Sequence, residues 1–360
     1  MTATALLPDA LSAKPLVSAP ARDEKRAGSS RLPMLDALRG IASLAVCWFH
    51  MTNGAQPGFL RSSGSKGWMG VEMFFVISGF IIPYSMFRAG YRLSDFGRFV
   101  LKRLIRLDPP YIASLALVLL LDWLSTLSPL YRGAPFHVSM PQLLLHFGYL
   151  NVFFGYPWLN LVYWTLAIEL QFYLLAALVF PLVASDKLRV WVPAFAILAA
   201  SAWLTPETQY IFVYVHLFLL GMAAFKFRVG QLGVVAYVAI SLAITVALSL
   251  VLGRVVAGLG LATALTIAFI NVRVPILSGI GVISYSLYLV HVPIGGRVVN
   301  LGARFVHSSV AHLALSLVAT AVSLAAAWLL YALIERPAQR WSSRLRFRSN
   351  RGSLSPITTS

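Results

Sequence analysis

The chain has 360 residues, of which 59% are hydrophobic and only 11% are charged, and its formal net charge is +17. A water-soluble fold cannot bury that much apolar surface, so the composition excludes a soluble domain and indicates a polytopic membrane protein. The basic residues are dispersed over short loops and form no recognisable nucleic-acid-binding module, so nucleic acid is not expected as a partner. No spacing typical of a metal site is present, and no bound metal is expected.

Apolar stretches long enough to cross the hydrocarbon recur along the chain. They predict an all-α fold, a polytopic membrane helix bundle of about ten transmembrane helices. A shorter apolar segment, 140–155, is interrupted by Gly and Pro and is predicted to be re-entrant or interfacial. The predicted spans are 35–53, 68–88, 109–127, 161–184, 189–204, 210–227, 231–251, 255–271, 277–298 and 310–333.

The distribution of basic residues predicts the orientation of the chain. Most of the 29 Lys and Arg residues fall in loops that share the cytoplasmic side when the N-terminus is cytoplasmic. Both termini are therefore predicted to be cytoplasmic. Residues 1–33 are predicted to be a disordered cytosolic tail, 34–341 the transmembrane domain and 342–360 a basic cytosolic tail.

The first predicted span contains an arginine and a histidine, Arg39 and His50, eleven residues apart. This separation returns them to within about 20° on one helix face, about 16 Å apart along the axis. A charge at bilayer depth costs about 2.5 kcal/mol or more, so such residues are paired, hydrated or functional. Either both line one cavity at different depths, or Arg39 reaches the headgroups while His50 bonds to a neighbouring helix.

The second and fourth predicted spans also carry buried carboxylates. Glu72 lies at a depth similar to that of His50 and is a candidate partner for its imidazole. Two turns deeper, Ser78 and Gly79 allow close approach by a ligand, although Ser-Gly pairs also serve ordinary helix packing. Glu169 is either a general acid or base or the structural partner of an intramembrane Arg.

A basic segment joins the second and third spans and is predicted to end at Pro109-Pro110. Its Lys102, Arg103 and Arg106 suit a phosphate group, because guanidinium groups bind phosphate oxygens in pairs. The cytoplasmic bias of basic residues and attraction to anionic lipids would place the same residues there. In the ninth span, His291 lies near several hydroxyl side chains that could be interhelical contacts.

Six segments in order resemble the acyltransferase 3 family of membrane-bound bacterial acyltransferases: LDALRGIASLAVCWFH, GVEMFFVISGF, FVLKRLIRLDPPY, YWTLAIELQFY, ISYSLYLVH and IERPAQRW. The resemblance covers roughly 32–341. It implies transfer of an acyl group, most simply acetyl, to a carbohydrate such as exopolysaccharide or lipopolysaccharide. It also implies acyl-coenzyme A as co-substrate without a bound cofactor, the bacterial inner membrane as location, and the family's form without a fused extracytoplasmic SGNH domain.

The resemblance also implies site residues. The family's essential Arg and His correspond to Arg39 and His50; we expect His50 to be the general base, with Glu169 or Glu72 orienting its ring. The predicted acyl-donor-binding residues are Lys102, Arg103, Arg106, Ser78, Gly79 and Phe80.

The expected partners are the lipid bilayer, acyl-coenzyme A, a carbohydrate acceptor and polysaccharide synthesis machinery. A transporter or flippase for a glycan precursor is the main alternative, since a multi-helix bundle with buried charges also describes carriers. The sequence shows no internal repeat to support it. An accessory scaffold, the third interpretation, would be insensitive to a change of His50 alone.

Overall fold

The computed structural model describes residues 33–129 and 137–345. Within these two ranges all regular elements are helical, so the all-α prediction is confirmed. Residues 1–32 and 346–360 hold most of the two predicted tails and lie outside the described ranges. The disordered tails and the cytoplasmic placement of both termini therefore stay predictions.

The described ranges contain α-helices α1 to α15 and two π-helical segments. We name His291–Gly296 the first π segment and Tyr331–Glu335 the second. The α-helices are α1 (Pro33–Thr52), α2 (Phe59–Gly64), α3 (Gly70–Arg88), α4 (Phe96–Thr126), α5 (Met140–His146), α6 (Tyr163–Val183), α7 (Leu188–Ala200), α8 (Val215–Arg228), α9 (Val234–Leu252), α10 (Arg254–Phe269), α11 (Pro275–Val282), α12 (Ser284–Val290), α13 (Arg297–Gly302), α14 (Ser309–Leu330) and α15 (Arg336–Arg344).

Several helical runs of the described chain are long and apolar enough to cross a membrane, which confirms a polytopic membrane protein. A bent pair, Pro275–Val282 with Ser284–Gly302 at 60°, makes one more if it is counted as a single span. Each predicted span overlaps a helix, but the count of about ten crossings stays a prediction. The six runs that qualify on their own are Phe59–Arg88, Leu93–Thr126, Tyr163–Val183, Ile211–Arg228, Val234–Leu252 and Ser309–Arg344.

The basic segment does not end at its two prolines, so that prediction is wrong. Helix α4 runs unbroken from Phe96 to Thr126 with Pro109 and Pro110 inside it. A proline removes one backbone hydrogen bond, and neighbouring helices can supply other donors to such a turn. In the helix pattern Pro109 and Pro110 leave the carbonyls of Ile105 and Arg106 without an amide donor. The hydroxyl of Tyr285 on α12 donates to the adjacent carbonyl of Leu107 at 2.9 Å and ties this turn to a neighbouring helix. The basic residues are therefore fixed on the same rigid helix as the third predicted span.

The segment 140–155 is short and folded, in agreement with its predicted failure to form a span. It holds only the seven-residue helix α5 and one turn of 3₁₀-helix. The carbonyl of His146 accepts a hydrogen bond from the Tyr111 hydroxyl at 3.2 Å, which ties the segment to α4. Tyr149 then turns the chain with a φ of 57°, a left-handed conformation uncommon for a bulky residue.

Helix α1 is surrounded by other helices and packs against α3, α11, α12 and α14. Its crossing with α11 is close because both helices present glycine there. A Cβ on Gly40 would collide with the backbone at Leu277, and one on Gly281 would collide with the backbone at Asp36. The polar residues of α1 are therefore held between helices.

Helix α15 docks on α4. The hydroxyl of Ser342 donates to the carbonyl of Lys102 at 2.8 Å, and the Lys102 ammonium donates to the carbonyl of Leu345 at 3.3 Å. The helix ends at Arg344, so the predicted domain boundary at 341 lies inside it.

Candidate functional site

Arg39 and His50 of α1 are both half-buried, and each lies near a residue of one of the π segments. The first π segment begins at His291, which contacts His50, and the second ends at Glu335, which lies within electrostatic range of Arg39. π-Helical turns are rare and recur at functional sites. The face of α1 predicted from the sequence therefore has a defined neighbour at each end.

At one end lies a pair of imidazoles, which we call the histidine pair, His50 and His291. Their ring centroids are 5.1 Å apart and their planes are inclined by 49°. His291 is 1% exposed, and its Nδ1 lies 3.0 Å from the carbonyl oxygen of Leu287. Its Nε2 is buried and has no hydrogen-bond partner in the described ranges. Our sequence analysis noted His291 but did not place it in the site.

The proposed pairing of Glu72 with His50 is not present in the described part of the chain. Glu72 is 5% exposed, and its Oε2 is buried without a hydrogen-bond partner. It lies within electrostatic range of Tyr214, which directly precedes α8, and of Tyr288, which lies on α12. The first turn of α3 therefore places the Glu72 carboxylate near tyrosine side chains, although the predicted depth of Glu72 in the membrane resembles that of His50.

At the other end of the α1 face lies a group that we call the Arg39 cluster: Arg39, Arg103, Arg106, Glu169 and Glu335. Arg39 lies within electrostatic range of Arg106 and of three carboxylates, Glu335, Asp36 and Glu169. The ion pairs found in the described ranges involve neither Arg39 nor Arg106. The cluster brings three guanidinium groups together, with Arg106 near both Arg39 and Arg103. Guanidinium groups bind anionic oxygens in pairs, so the cluster is suited to an anionic ligand.

Arg103 is the most firmly held of the three arginines. Its Nη2 donates to the Ser85 hydroxyl at 3.0 Å. Its guanidinium also lies over the rings of Phe99 and Tyr173, 5.2 Å and 5.5 Å from their centroids. Such cation–π contacts stabilise a charge that is partly removed from water. These contacts fix the orientation of the Arg103 side chain.

Glu169 connects two of the predicted site residues. The hydroxyls of Tyr173 and Ser78 both donate to its Oε1, the latter at 3.3 Å. It also lies within electrostatic range of Arg103. Ser78, which the sequence assigned to donor binding, is therefore joined to the predicted catalytic carboxylate.

A small cleft beside Glu169 has a volume of about 10 Å³, which is room for about one water molecule. Two groups that sequence reasoning did not assign to the site meet there: the Tyr149 hydroxyl donates to Asp108 Oδ1 at 3.0 Å. Tyr149 comes from the segment 140–155, which has no periodic signal in the sequence that would predict its path through the fold. The polar and charged side chains lining the cleft are Arg103, Asp108, Tyr149, Glu169, Tyr173 and Tyr285.

Glu335 is a further residue of the site that the sequence analysis did not predict. It is 2% exposed, and its Oε2 accepts hydrogen bonds from the Ser286 amide at 3.2 Å and the Ser286 hydroxyl at 2.5 Å. Its Oε1 accepts one from Gln339 at 2.9 Å. A buried carboxylate with three donors and a nearby arginine is a fixed counter-charge. The sequence feature that could have identified Glu335 as a site residue is an acidic residue at the end of an apolar span.

Gly79 and Phe80 make packing contacts within the bundle. A Cβ on Gly79 would collide with the backbone of Phe218, and one on Gly221 would collide with the backbone of Val76. Phe80 is fully buried and stacks on Tyr84 at 5.3 Å. Helices α3 and α8 therefore approach closely at the Ser-Gly-Phe segment, and Ser78 is its member in contact with the Arg39 cluster.

The helical spans and this buried polar face define an all-α, polytopic membrane protein. The acyltransferase domain of the acyltransferase 3 family matches residues 32–332. The chain belongs to this family, which confirms the resemblance drawn from the six sequence segments.

Among curated proteins, the chain is similar to the "Putative membrane-bound transacylase BcsY" of Komagataeibacter xylinus, with 32% identity over 49% of this chain and 45% of the relative. It is also 32% identical to the O-acetyltransferase OatA of Staphylococcus aureus over 48% of this chain and 28% of that protein. The chain thus spans less than half the length of these relatives. No solved structure matches it.

Proposed function

We propose that the protein is an O-acyltransferase of the bacterial plasma membrane that transfers an acyl group, most simply acetyl, from acyl-coenzyme A to a carbohydrate hydroxyl. The observation that carries this proposal is the α1 face, with an arginine cluster at one end and a histidine pair at the other. Family membership and the names of the relatives support acyl transfer. Relatives named as O-acetyltransferases support a hydroxyl acceptor.

The Arg39 cluster supports binding of the phosphate-bearing donor. Coenzyme A carries several phosphate groups, and guanidinium groups form paired, charge-assisted hydrogen bonds with phosphate oxygens. Arg106 and Arg39 make no ion pair in the described ranges and are the proposed anion ligands. Arg103, already held by Ser85 and two aromatic rings, keeps the cluster in place.

The histidine pair supports the chemical step. The acceptor hydroxyl oxygen bonds to the thioester carbonyl carbon while its proton passes to a ring nitrogen of His50. The carbon–sulfur bond of the resulting tetrahedral intermediate then breaks. The leaving thiolate of coenzyme A takes the proton from the His50 imidazolium, so the products are the ester and the free thiol. Arg39 and His50 are eleven residues apart, so the proposed donor-binding site and the proposed site of proton transfer are separated by about 16 Å along the helix.

The two predicted catalytic carboxylates have different proposed roles. Glu169 accepts from Ser78 and Tyr173 beside Arg103, which supports a positioning role in the Arg39 cluster. Glu72 has an unpartnered buried oxygen near Tyr214 and Tyr288, and a sugar hydroxyl would satisfy it.

The test is mass spectrometry of surface and secreted glycans from cells that lack the protein. The cells are complemented with the wild-type chain, His50→Ala, or His307→Ala at matched membrane abundance. His307 is an exposed histidine outside the proposed site and serves as the matched control. We expect an acyl mass increment with wild type and His307→Ala and none with His50→Ala.

Two outcomes would contradict the proposal. Glycan acylation that is independent of the chain, together with glycan export that requires it, would favour the transporter interpretation. Acylation that requires the chain but survives His50→Ala would favour a scaffold role.

A further inference from the structure

The buried imidazole of His291 needs a physical explanation. A buried polar atom without a partner costs about 1–3 kcal/mol, and native structures contain few of them. His291 Nε2 is such an atom, and its ring lies beside the ring of His50, on which the proposed chemistry depends. The first π segment begins at this residue, so its backbone is locally distorted at the same point.

The protonation state of the neutral ring follows from its contact with Leu287. Nδ1 lies 3.0 Å from a backbone carbonyl oxygen, which can only accept a hydrogen bond. The Nδ1 atom therefore carries the hydrogen, and Nε2 carries the lone pair. His291 consequently presents a hydrogen-bond acceptor inside the bundle.

Other nearby hydroxyls are already committed elsewhere. The Tyr288 ring centroid is 5.8 Å from that of His291, but its hydroxyl is engaged with Thr165 at 2.7 Å. The Ser323 hydroxyl, which lies against Gly295 of the same π segment, donates to the carbonyl of Ala319 at 2.7 Å. His50, by contrast, makes only ring contacts in the described part of the chain.

The spacing of the two rings fits an imidazole–imidazole hydrogen bond. A bond of about 2.9 Å between ring nitrogens, with about 1.1 Å from each nitrogen to its ring centre, separates the centroids by about 5 Å. The observed separation is 5.1 Å. The proposed bond requires the His50 ring to turn about χ2 until one N–H points at His291 Nε2, a rotation that moves the ring centre little.

We propose that His291 is the positioning residue for His50: its Nε2 accepts a hydrogen bond from one His50 N–H and leaves the other nitrogen free to take the acceptor's proton. This inference rests on the proposed acyl transfer and replaces Glu72 and Glu169 as the group that orients His50. When His50 holds both protons, the same bond stabilises the imidazolium without moving a proton to His291. His291 thereby performs the orienting task that a carboxylate performs in hydrolase triads.

Two polar substitutions separate this role from a structural one. His291→Gln places an amide oxygen near the position of Nε2, whereas His291→Asn keeps only a donor near Nδ1 for the Leu287 carbonyl. His291→Leu fills similar space and provides neither group. The rate is measured as radiolabelled acetyl groups passed from acetyl-coenzyme A to glycan in washed membrane vesicles, normalised to protein abundance. Equilibrium binding of acetyl-coenzyme A to the full chain in nanodiscs is measured in parallel.

We expect His291→Gln to retain at least about a tenth of the wild-type rate and His291→Asn to lose about 100-fold, within the range for assistance to acid–base catalysis. His291→Leu should match His291→Asn, and all three should bind acetyl-coenzyme A as wild type does. An active His291→Asn beside an inactive His291→Gln would overturn the proposal in favour of a backbone anchor. If His291→Leu fails to accumulate, the Asn and Gln pair still decides.

Wild-type activity in all His291 variants would also overturn the proposal while leaving acyl transfer intact. Lack of transfer by the wild-type chain itself, with glycan and donor present, would instead contradict the proposed function. The two failures are therefore distinguishable in one set of vesicles.

Discussion

The two ends of the α1 face solve opposite physical problems. The Arg39 cluster gathers charge: carboxylates with several donors stand near arginines, and Arg103 is further held by aromatic rings. The histidine pair has few polar contacts, and His291 Nε2 has no hydrogen-bond partner in the described ranges. Binding a highly charged donor needs preorganised positive charge, whereas a proton acceptor needs a nitrogen that no other group occupies.

The difference also explains why the two π segments contribute different side chains. The first presents His291 to His50, and the second presents Glu335 near Arg39. The cationic Arg39 thus has an anionic neighbour, whereas His50 has an imidazole as its neighbour. If this division is correct, substitutions at one end should change the rate, and those at the other should change donor affinity.

The largest expected effect is at the histidine pair. His50→Gln removes the proposed general base and should lower the turnover rate by roughly 10²–10⁴-fold while leaving acetyl-coenzyme A affinity unchanged. Initial rates of acetyl transfer and equilibrium binding measure the two quantities separately. His307→Gln, at an exposed position, should change neither. A loss of donor binding in His50→Gln would remove the division between the two ends.

The next effect is at the Arg39 cluster. Arg106→Gln removes one charge-assisted contact to the donor, worth about 1.5–3 kcal/mol, so acetyl-coenzyme A should bind roughly 10- to 150-fold more weakly. The turnover rate at saturating donor should change little. Arg98→Gln is the matched control, because Arg98 already pairs with Asp95 at 4.0 Å near the start of the same helix. Equal weakening by both variants would indicate a general charge effect.

Glu335 should contribute mainly to stability. Glu335→Ala leaves the Ser286 amide and hydroxyl without their acceptor and removes the counter-charge near Arg39. We expect the free energy of unfolding to fall by about 1–3 kcal/mol, measured by thermal unfolding in detergent. Gln339→Ala removes only the single bond to Oε1 and should cost less. A Glu335→Ala protein as stable as wild type would show that the buried network contributes nothing to the fold.

The smallest expected effect tests the edge of the Arg39 cluster. Lys102 donates to Leu345, and its carbonyl accepts from Ser342, so it helps to hold helix α15. Lys102→Met should therefore lower stability by about 0.5–1.5 kcal/mol and change acetyl-coenzyme A affinity only about twofold. Ser342→Ala should reproduce the stability loss alone. A tenfold weakening of donor binding by Lys102→Met would extend the cluster to this residue.

Residue spacing was sufficient to predict the main face of the site. Arg39 and His50 are three helical turns apart on one helix, and that relation depends only on helix geometry. The partners of this face could not be predicted in the same way. Glu72 was expected beside His50 from its depth, but depth leaves the direction around the helix axis undetermined, and the carboxylate lies near Tyr214 and Tyr288.

By itself, the sequence determined the helical class, the membrane setting, the family and the positions of the α1 polar residues. Long apolar runs and fixed helical periodicity are local properties, so a chain read without its fold still reveals them. Only the tertiary structure decided that His291 meets His50, that α4 continues through its prolines, and that Tyr149 reaches Asp108. These contacts depend on the rotation and crossing of helices far apart in sequence, which are set by packing against neighbouring helices.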